Sequence, residues 1–272
     1  MGSHRWRPGW DGHLLLLYDE ESQRRAGVAA WVGRGLELGS KILYTELPEE
    51  APASSLRELL RDEPAALEAM ERGQLEIVPA DRSAYEPAFM AGVVDGALAQ
   101  GYPSVRWSGD ASTAWQLMPR GRHQLVERAT DRLCSSRPLS ALCQYPAHES
   151  RPSVGRLSRS HAAGVKERQF QAAPVEGGLA LAGELDATNH EVLRSLLAAS
   201  AASARGAELL LDLAWVGFLD LAAARALLLG THDHRNGGGL VRLRSPQPHV
   251  TELLQLLAVD RVEGILLEGE TQ

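Results

Sequence analysis

The sequence predicts an α/β protein of two domains, and three observations carry that prediction. Short apolar runs alternate with helix-forming stretches from His13 onward. The 272 residues, 44% of them hydrophobic, supply apolar surface for about two ordinary cores. A Ser-, Arg-, Gly- and Pro-rich stretch over 147–168 then interrupts the alternation, which places the domains at 1–166 and 167–272 with a linker over 147–168.

Taken in order, "HLLLLYDEE" (13–21) is a short apolar run ending in acids, which suits a buried strand. The stretch to Arg34, with Ala26, Ala29, Ala30 and Val32 near helical spacing, is a helix, and "KILYTEL" (41–47) a second strand. Strand, helix and strand at these lengths make a βαβ unit and therefore a parallel sheet. A loop over 48–55 precedes one or two helices in "SLRELLRDEPAALEAMERG", and "LEIVPA" (75–80) is a third strand. The helix "EPAFMAGVVDGALAQGY", the strand "SVRWSGD" (104–110), the helix "HQLVERATDRLC" and the strand "LSALCQYP" (139–146) complete the first domain. Beyond the linker come a strand pair (170–185), a helix (188–203), and a strand (208–216) leading into a helix (221–230). The strand 239–245, the helix 249–259 and a last strand (264–269) follow.

Composition narrows the function classes. The net charge is −7, and residues 1–150 hold 16 basic and 21 acidic side chains, so neither half carries the basic footprint of a nucleic-acid binder. No window approaches the roughly 18 apolar residues of a membrane span, and the start has no apolar signal core. The expectation is a cytoplasmic protein with no membrane and no direct nucleic-acid partner. Cys134 and Cys143, nine positions apart, fit free thiols in a reducing compartment better than a disulfide or a zinc pair.

The turn after the first strand tests for nucleotide chemistry. A phosphate loop needs glycines, a Lys and a hydroxyl, whereas "YDEESQRR" places Asp19, Glu20 and Glu21 where the helix dipole favours negative charge. Those acids read as a helix cap. His4, His13, His123, His148, His161, His232 and His234 read as surface or loop histidines, so no metal and no cofactor is expected. Cys143, inside an apolar strand, reads as a packed thiol. The strand ends also carry Tyr18, Trp107, Asp110, Trp115, Cys143 and Tyr145. In a parallel sheet they converge on the crevice beyond the C-terminal strand ends, as an aromatic-lined pocket for a small molecule.

The blocks "HLLLLYDEE", "GLELGSKILY", "GYPSVRWSGDASTAW", "LSALCQYP" and "RLSRSHAAGV" resemble those of the MEDS domain over residues 11–166. That sensory domain is named for methanogen and methylotroph regulators, among them the dichloromethane-responsive repressor. The resemblance implies a RecA-like parallel-sheet domain lacking a phosphate loop and used for sensing. The acid usual after "CQY" is Pro146 here.

The second half, through "LALAGELDATNHEVL", "LLLDLAWVGFLDLAAARALL" and "PHVTELLQLLAVDRV", resembles the STAS domain of anti-anti-sigma factors over 168–270. The resemblance implies an α/β domain with a mixed sheet flanked by helices. It also implies a switch point reading Asp, Ser, Ser or Thr, Gly, Leu, where an anti-sigma kinase phosphorylates a hydroxyl. This chain keeps the acid as Asp220 but continues Leu221, Ala222, Ala223, Ala224, so neither position can accept phosphate. Asp220 reads as a helix N-cap. Asp220, Leu221, Ala222 and Arg225 form a candidate partner surface.

Together these readings predict a non-enzymatic regulator: a ligand-sensing domain controlling a STAS module that binds an anti-sigma factor or another STAS protein. The alternatives are a non-sensing scaffold whose STAS domain assembles into a larger complex or homodimer, and a nucleotide-binding ATPase-like domain.

Overall fold

The computed structural model describes residues 7–48, 54–150, 153–204 and 208–268. Most of the loop expected over 48–55, together with His4 and the last residue of the strand expected at 264–269, lies outside them. Two compact units emerge: described residues of Trp10–Glu149 and Ser160–Ala163 form the first, and the remaining described residues the second. Among the described residues no helix is long and apolar enough to cross a membrane.

The first unit runs β1 (His13–Tyr18), α1 (Glu21–Glu37), β2 (Lys41–Glu46), α2 (Leu56–Leu59), α3 (Pro64–Glu71), β3 (Leu75–Pro79) and α4 (Pro87–Ala99). It continues through β4 (Val105–Asp110), α5 (Ala111–Leu117), α6 (Arg120–Ser136), β5 (Leu139–Pro146) and the single turn α7 (Ala147–Ser150). All five strands are parallel, in the order β1-β5-β4-β2-β3.

Strand geometry divides its residues between two helical layers. On one face of the sheet Leu14, Leu16 and Leu142 pack against Trp31 of α1. On the other, Leu43, Val105, Trp107 and Leu139 pack against Met90 and Val94 of α4 and Leu133 of α6. Near-continuous burial of β1 and β2 is what a parallel sheet covered on both faces requires.

The second unit comprises α8 (Val154–Leu157), β6 (Gly164–Lys166), β7 (Phe170–Val175), β8 (Gly178–Leu185), α9 (His190–Ser203) and β9 (Glu208–Leu219). After these come α10 (Leu221–Gly230), α11 (His232–Asn236), β10 (Leu240–Arg244), α12 (Pro248–Leu256) and β11 (Ile265–Leu267). Strands β6, β7 and β8 pair antiparallel, whereas β8, β9, β10 and β11 pair parallel, so this sheet is mixed. The molecule is thus mixed α/β, with a parallel layer first and antiparallel strands entering only after residue 163.

Three elements depart from the sequence expectation. Helix α5 follows β4 with no loop because Asp110, read as a ligand residue, accepts a hydrogen bond from the Ser112 N–H at 2.7 Å and caps it. The supposed linker contains β6, three residues long and therefore without a readable period. Strand β9 runs on to Leu219 through a register shift against β8 between Gly183 and Glu184.

Candidate functional site

The chemistry of the first unit gathers where β1 and β5 lie side by side under α6. Their register sets Leu15 opposite Cys143 and Leu17 opposite Tyr145. His13, Cys143 and Tyr145 point to the face that α6 covers. On α6, His123, Glu127 and Asp131 recur at four-residue spacing and so share one side of the helix.

Glu127 is 2% exposed and stands at the centre. Its Oε1 accepts from the Tyr145 hydroxyl at 2.6 Å and lies 3.3 Å from His123 Nε2. Its Oε2 accepts from Cys143 Sγ at 3.1 Å and lies 3.3 Å from His13 Nε2 and 3.4 Å from His161 Nε2. The His13 and His161 rings stack at 4.2 Å between centroids. Behind them, Asp131 Oδ1 lies 3.1 Å from His13 Nδ1 and accepts from the Ala162 N–H at 2.9 Å, which pins the segment bearing His161.

These contacts set the charge states. Burial alone would raise the carboxyl of Glu127, but His161, His123 and His13 hold it well below the usual carboxylate range. Burial, reinforced by Glu127, pushes both the Cys143 thiol and the Tyr145 phenol well up. For His13, burial disfavours the imidazolium, and the Asp131 and Glu127 carboxylates more than offset it.

A cavity of about 50 Å³ adjoins this cluster, lined by Trp107, Asp110, His123, Glu127 and Cys143 among others. It has room for a ligand of a few heavy atoms. The Trp107 indole N–H donates to Thr45 Oγ1 at 2.7 Å, which fixes that wall.

Of the six residues expected in one pocket, Trp107, Asp110 and Cys143 line the cavity. Tyr145 sits behind it through Glu127, and the Trp115 ring meets Tyr145 edge-on at 5.8 Å. Tyr18 does not line the cavity, although it meets Asp110. Pleating turns it to the α1 face, where its hydroxyl donates to Asp110 Oδ2 at 2.5 Å beside Arg24.

The expectation of surface or loop positions is overturned for His13 and His123, which are buried in strand β1 and helix α6; His161 does lie in a loop but is buried there, and all three are aimed at Glu127. Nor is Cys143 merely packed among apolar side chains. The readable signal was the His123, Glu127, Asp131 stripe along one predicted helix. The contribution of His161, from a stretch read as linker, had no local signal. The acids at the start of α1 also behave differently from a cap, since Glu20 makes no side-chain cap bond and Gln23 instead accepts from the Asp19 N–H.

In the second unit Asp220 is the N-cap of α10, its Oδ1 accepting from Ala223 N–H at 2.9 Å. Its Oδ2 accepts from Ala187 N–H at 3.0 Å and so ties the turn after β8 to the start of α10. That turn is itself braced by Asp186, which accepts from Thr188 N–H at 2.8 Å and Thr188 Oγ1 at 2.6 Å. Both Asp220 oxygens are thus engaged internally, whereas Leu221 beside it is 67% exposed. A surface groove is lined by Asp220, Leu221, Ala222 and Arg225, with His190 and Arg194 of α9 opposite. All four candidate partner residues lie on it.

The two units define a fusion of two α/β modules of regulatory rather than catalytic type. Residues 12–162 match the MEDS family, the methanogen/methylotroph, DcmR sensory domain, and residues 169–268 match the family described as Mlab, STAS domain. The chain belongs to the MEDS family and carries a STAS domain behind it. Among solved structures it is similar to the anti-sigma factor antagonist SpoIIAA in its unphosphorylated form, at 17% identity and a TM-score of 0.31, over 37% of this chain and 89% of that one. No curated protein gives a significant match.

Proposed function

We propose that this chain is a non-enzymatic signalling regulator of the cytoplasm. Its MEDS unit takes a small ligand in the cavity beside Trp107 and Cys143, and its STAS unit docks a protein partner on the Asp220–Arg225 groove. The partner class is an anti-sigma factor or another STAS protein. The input is ligand occupancy in place of phosphorylation.

One observation carries the reading. At the start of α10 the capping acid is retained while the neighbouring position presents an exposed apolar side chain, Leu221, with no hydroxyl beside it. A phosphate at such a helix start would be held by free N–H groups and would add nearly two negative charges to the docking face. An exposed leucine does neither; it favours burial against a partner.

The test is affinity capture by the full chain and by Leu221→Asp, with candidate anti-sigma factors and STAS proteins, in the presence of radiolabelled ATP. The reading expects a complex with the unsubstituted chain, at least tenfold weaker for Leu221→Asp, and no label in residues 219–231. A labelled residue there, or a complex indifferent to Leu221→Asp, would refute it.

A further inference from the structure

The cluster around Glu127 has a feature that sensing does not need. His13, Glu127, Cys143 and His161 each offer one ligand atom, and these atoms all lie within 4.8 Å of one another. We propose that the four side chains bind one divalent transition-metal ion of the zinc class, held tetrahedrally through His13 Nε2, Glu127 Oε2, Cys143 Sγ and a ring nitrogen of His161. Glu127 and Cys143 also line the cavity, but the ion's binding requires neither a ligand there nor a docked partner.

Four properties of the cluster support it. The first is size. Zinc bonds of about 2.0 Å to nitrogen and oxygen and about 2.3 Å to sulfur make the edges of a tetrahedron roughly 3.3–3.6 Å long. Four of the six edges are 3.3 Å from His13 to Glu127, 3.4 Å from His13 to Cys143, 3.1 Å from Cys143 to Glu127 and 3.4 Å from His161 to Glu127, and the two from His161 to His13 and Cys143 are within 4.8 Å, so the His161 ring closes in slightly on binding.

The second is orientation. Asp131 engages Nδ1 of His13, which leaves Nε2 to face the centre; a carboxylate behind a ligating histidine is the usual outer partner of such sites. The Tyr145 hydroxyl takes Oε1 of Glu127 and leaves Oε2 facing inward.

The third is charge. Two neutral imidazoles, one carboxylate and one thiolate carry two negative charges in a buried setting, which a single divalent cation neutralises.

The fourth is donor chemistry. A thiolate with imidazoles selects zinc, cobalt or related ions over magnesium and calcium, whose ligands are oxygens. Four protein ligands leave no open position, so the ion holds structure and is not a catalytic centre. Because His161 comes from the 160–163 segment and the other ligands from β1, α6 and β5, the ion would staple that segment to the sheet.

The experiment uses the full chain, stripped with a chelator and titrated with cobalt(II) as the probe. The expected result is one cobalt per chain, the intense visible bands of a tetrahedral ion, and a near-ultraviolet thiolate-to-cobalt charge-transfer band. Zinc should displace the cobalt and bleach all of them. Cys134→Ser should keep the charge-transfer band and Cys143→Ser should lose it. Asp131→Asn should weaken cobalt binding by about 10–100-fold. A stripped chain with native circular dichroism and no cobalt bands overturns the proposal. So does a charge-transfer band that survives Cys143→Ser, or one that vanishes in a folded Cys134→Ser. The unsubstituted chain is decisive by itself, so the proposal can still be overturned if Cys143→Ser fails to fold.

Discussion

Arg106 is buried with its guanidinium 3.7 Å above the Trp31 ring, and Asp11 is the carboxylate that balances it, at 2.6 Å. Arg34 reaches the other Asp11 oxygen at 3.2 Å. Burial works against the Asp11 charge, but the two arginines win and hold its carboxyl below the ordinary aspartate value. A depressed folded pKa gives stability that is present above the unfolded value of about 3.9 and lost as pH falls through the folded one. Asp11→Asn should therefore cost about 1 kcal/mol at pH 7, kept small by solvent around a half-exposed carboxylate, and less at about pH 2.5, below the unfolded value. Urea denaturation at the two pH values measures it; an equal cost at both would show that the charge does not matter. At the same scale, apolar identity was readable in the sequence and polar destination was not. The leucines of β1 are buried as their run implies, yet His13 in the same strand has a role visible only once α6 and residues 160–163 fold over it.

The elements themselves were largely legible because strand and helix periods are local. All five strands of the first unit fall where alternation of apolar runs and helices placed them. What escaped was short, like β6, or capped by a residue with a second plausible role, like Asp110 at α5. Two substitutions probe elements that hold the second unit together. Gly183 sits at φ +92° within β8, and an added Cβ would stand 2.1 Å from the Gln169 carbonyl oxygen. Gly183→Ala should destabilise the unit by more than about 2 kcal/mol, from left-handed strain plus the clash. A loss under about 0.5 kcal/mol in chemical denaturation would mean that the β7–β8 pair yields easily. Asp220→Ala removes two accepted N–H bonds, one to α10 and one to the turn at Ala187, and should cost about 1–2 kcal/mol. Asp220→Asn should recover only part of this in the same assay, since its single amide oxygen can replace one accepted bond but not both; full recovery would show that one of the two bonds contributes nothing.

For the whole molecule, the order of modules was legible because each carries its own strand-to-helix signature. The full lining of the cavity was not, because its walls come from β2, β4, β5, α4 and α6 among others, elements far apart in sequence whose facing side chains share no local pattern. Leu221 and Ala222 carry no hydroxyl and cannot take a phosphate, so the proposed switching of the STAS groove needs another input, for which the cavity of the first unit is the candidate. Short-chain alcohols, amines, acids and halocarbons, screened through the fluorescence of Trp107 with Trp107→Phe as the blank, would supply an occupant for the cavity. The most direct measurement is then the affinity of a captured partner for the full chain, by calorimetry, with that occupant present and absent. The account predicts a change of about 5–150-fold, the usual span of coupling between two sites, and its loss in Leu221→Asp. Equal affinities with the cavity full and empty would contradict it.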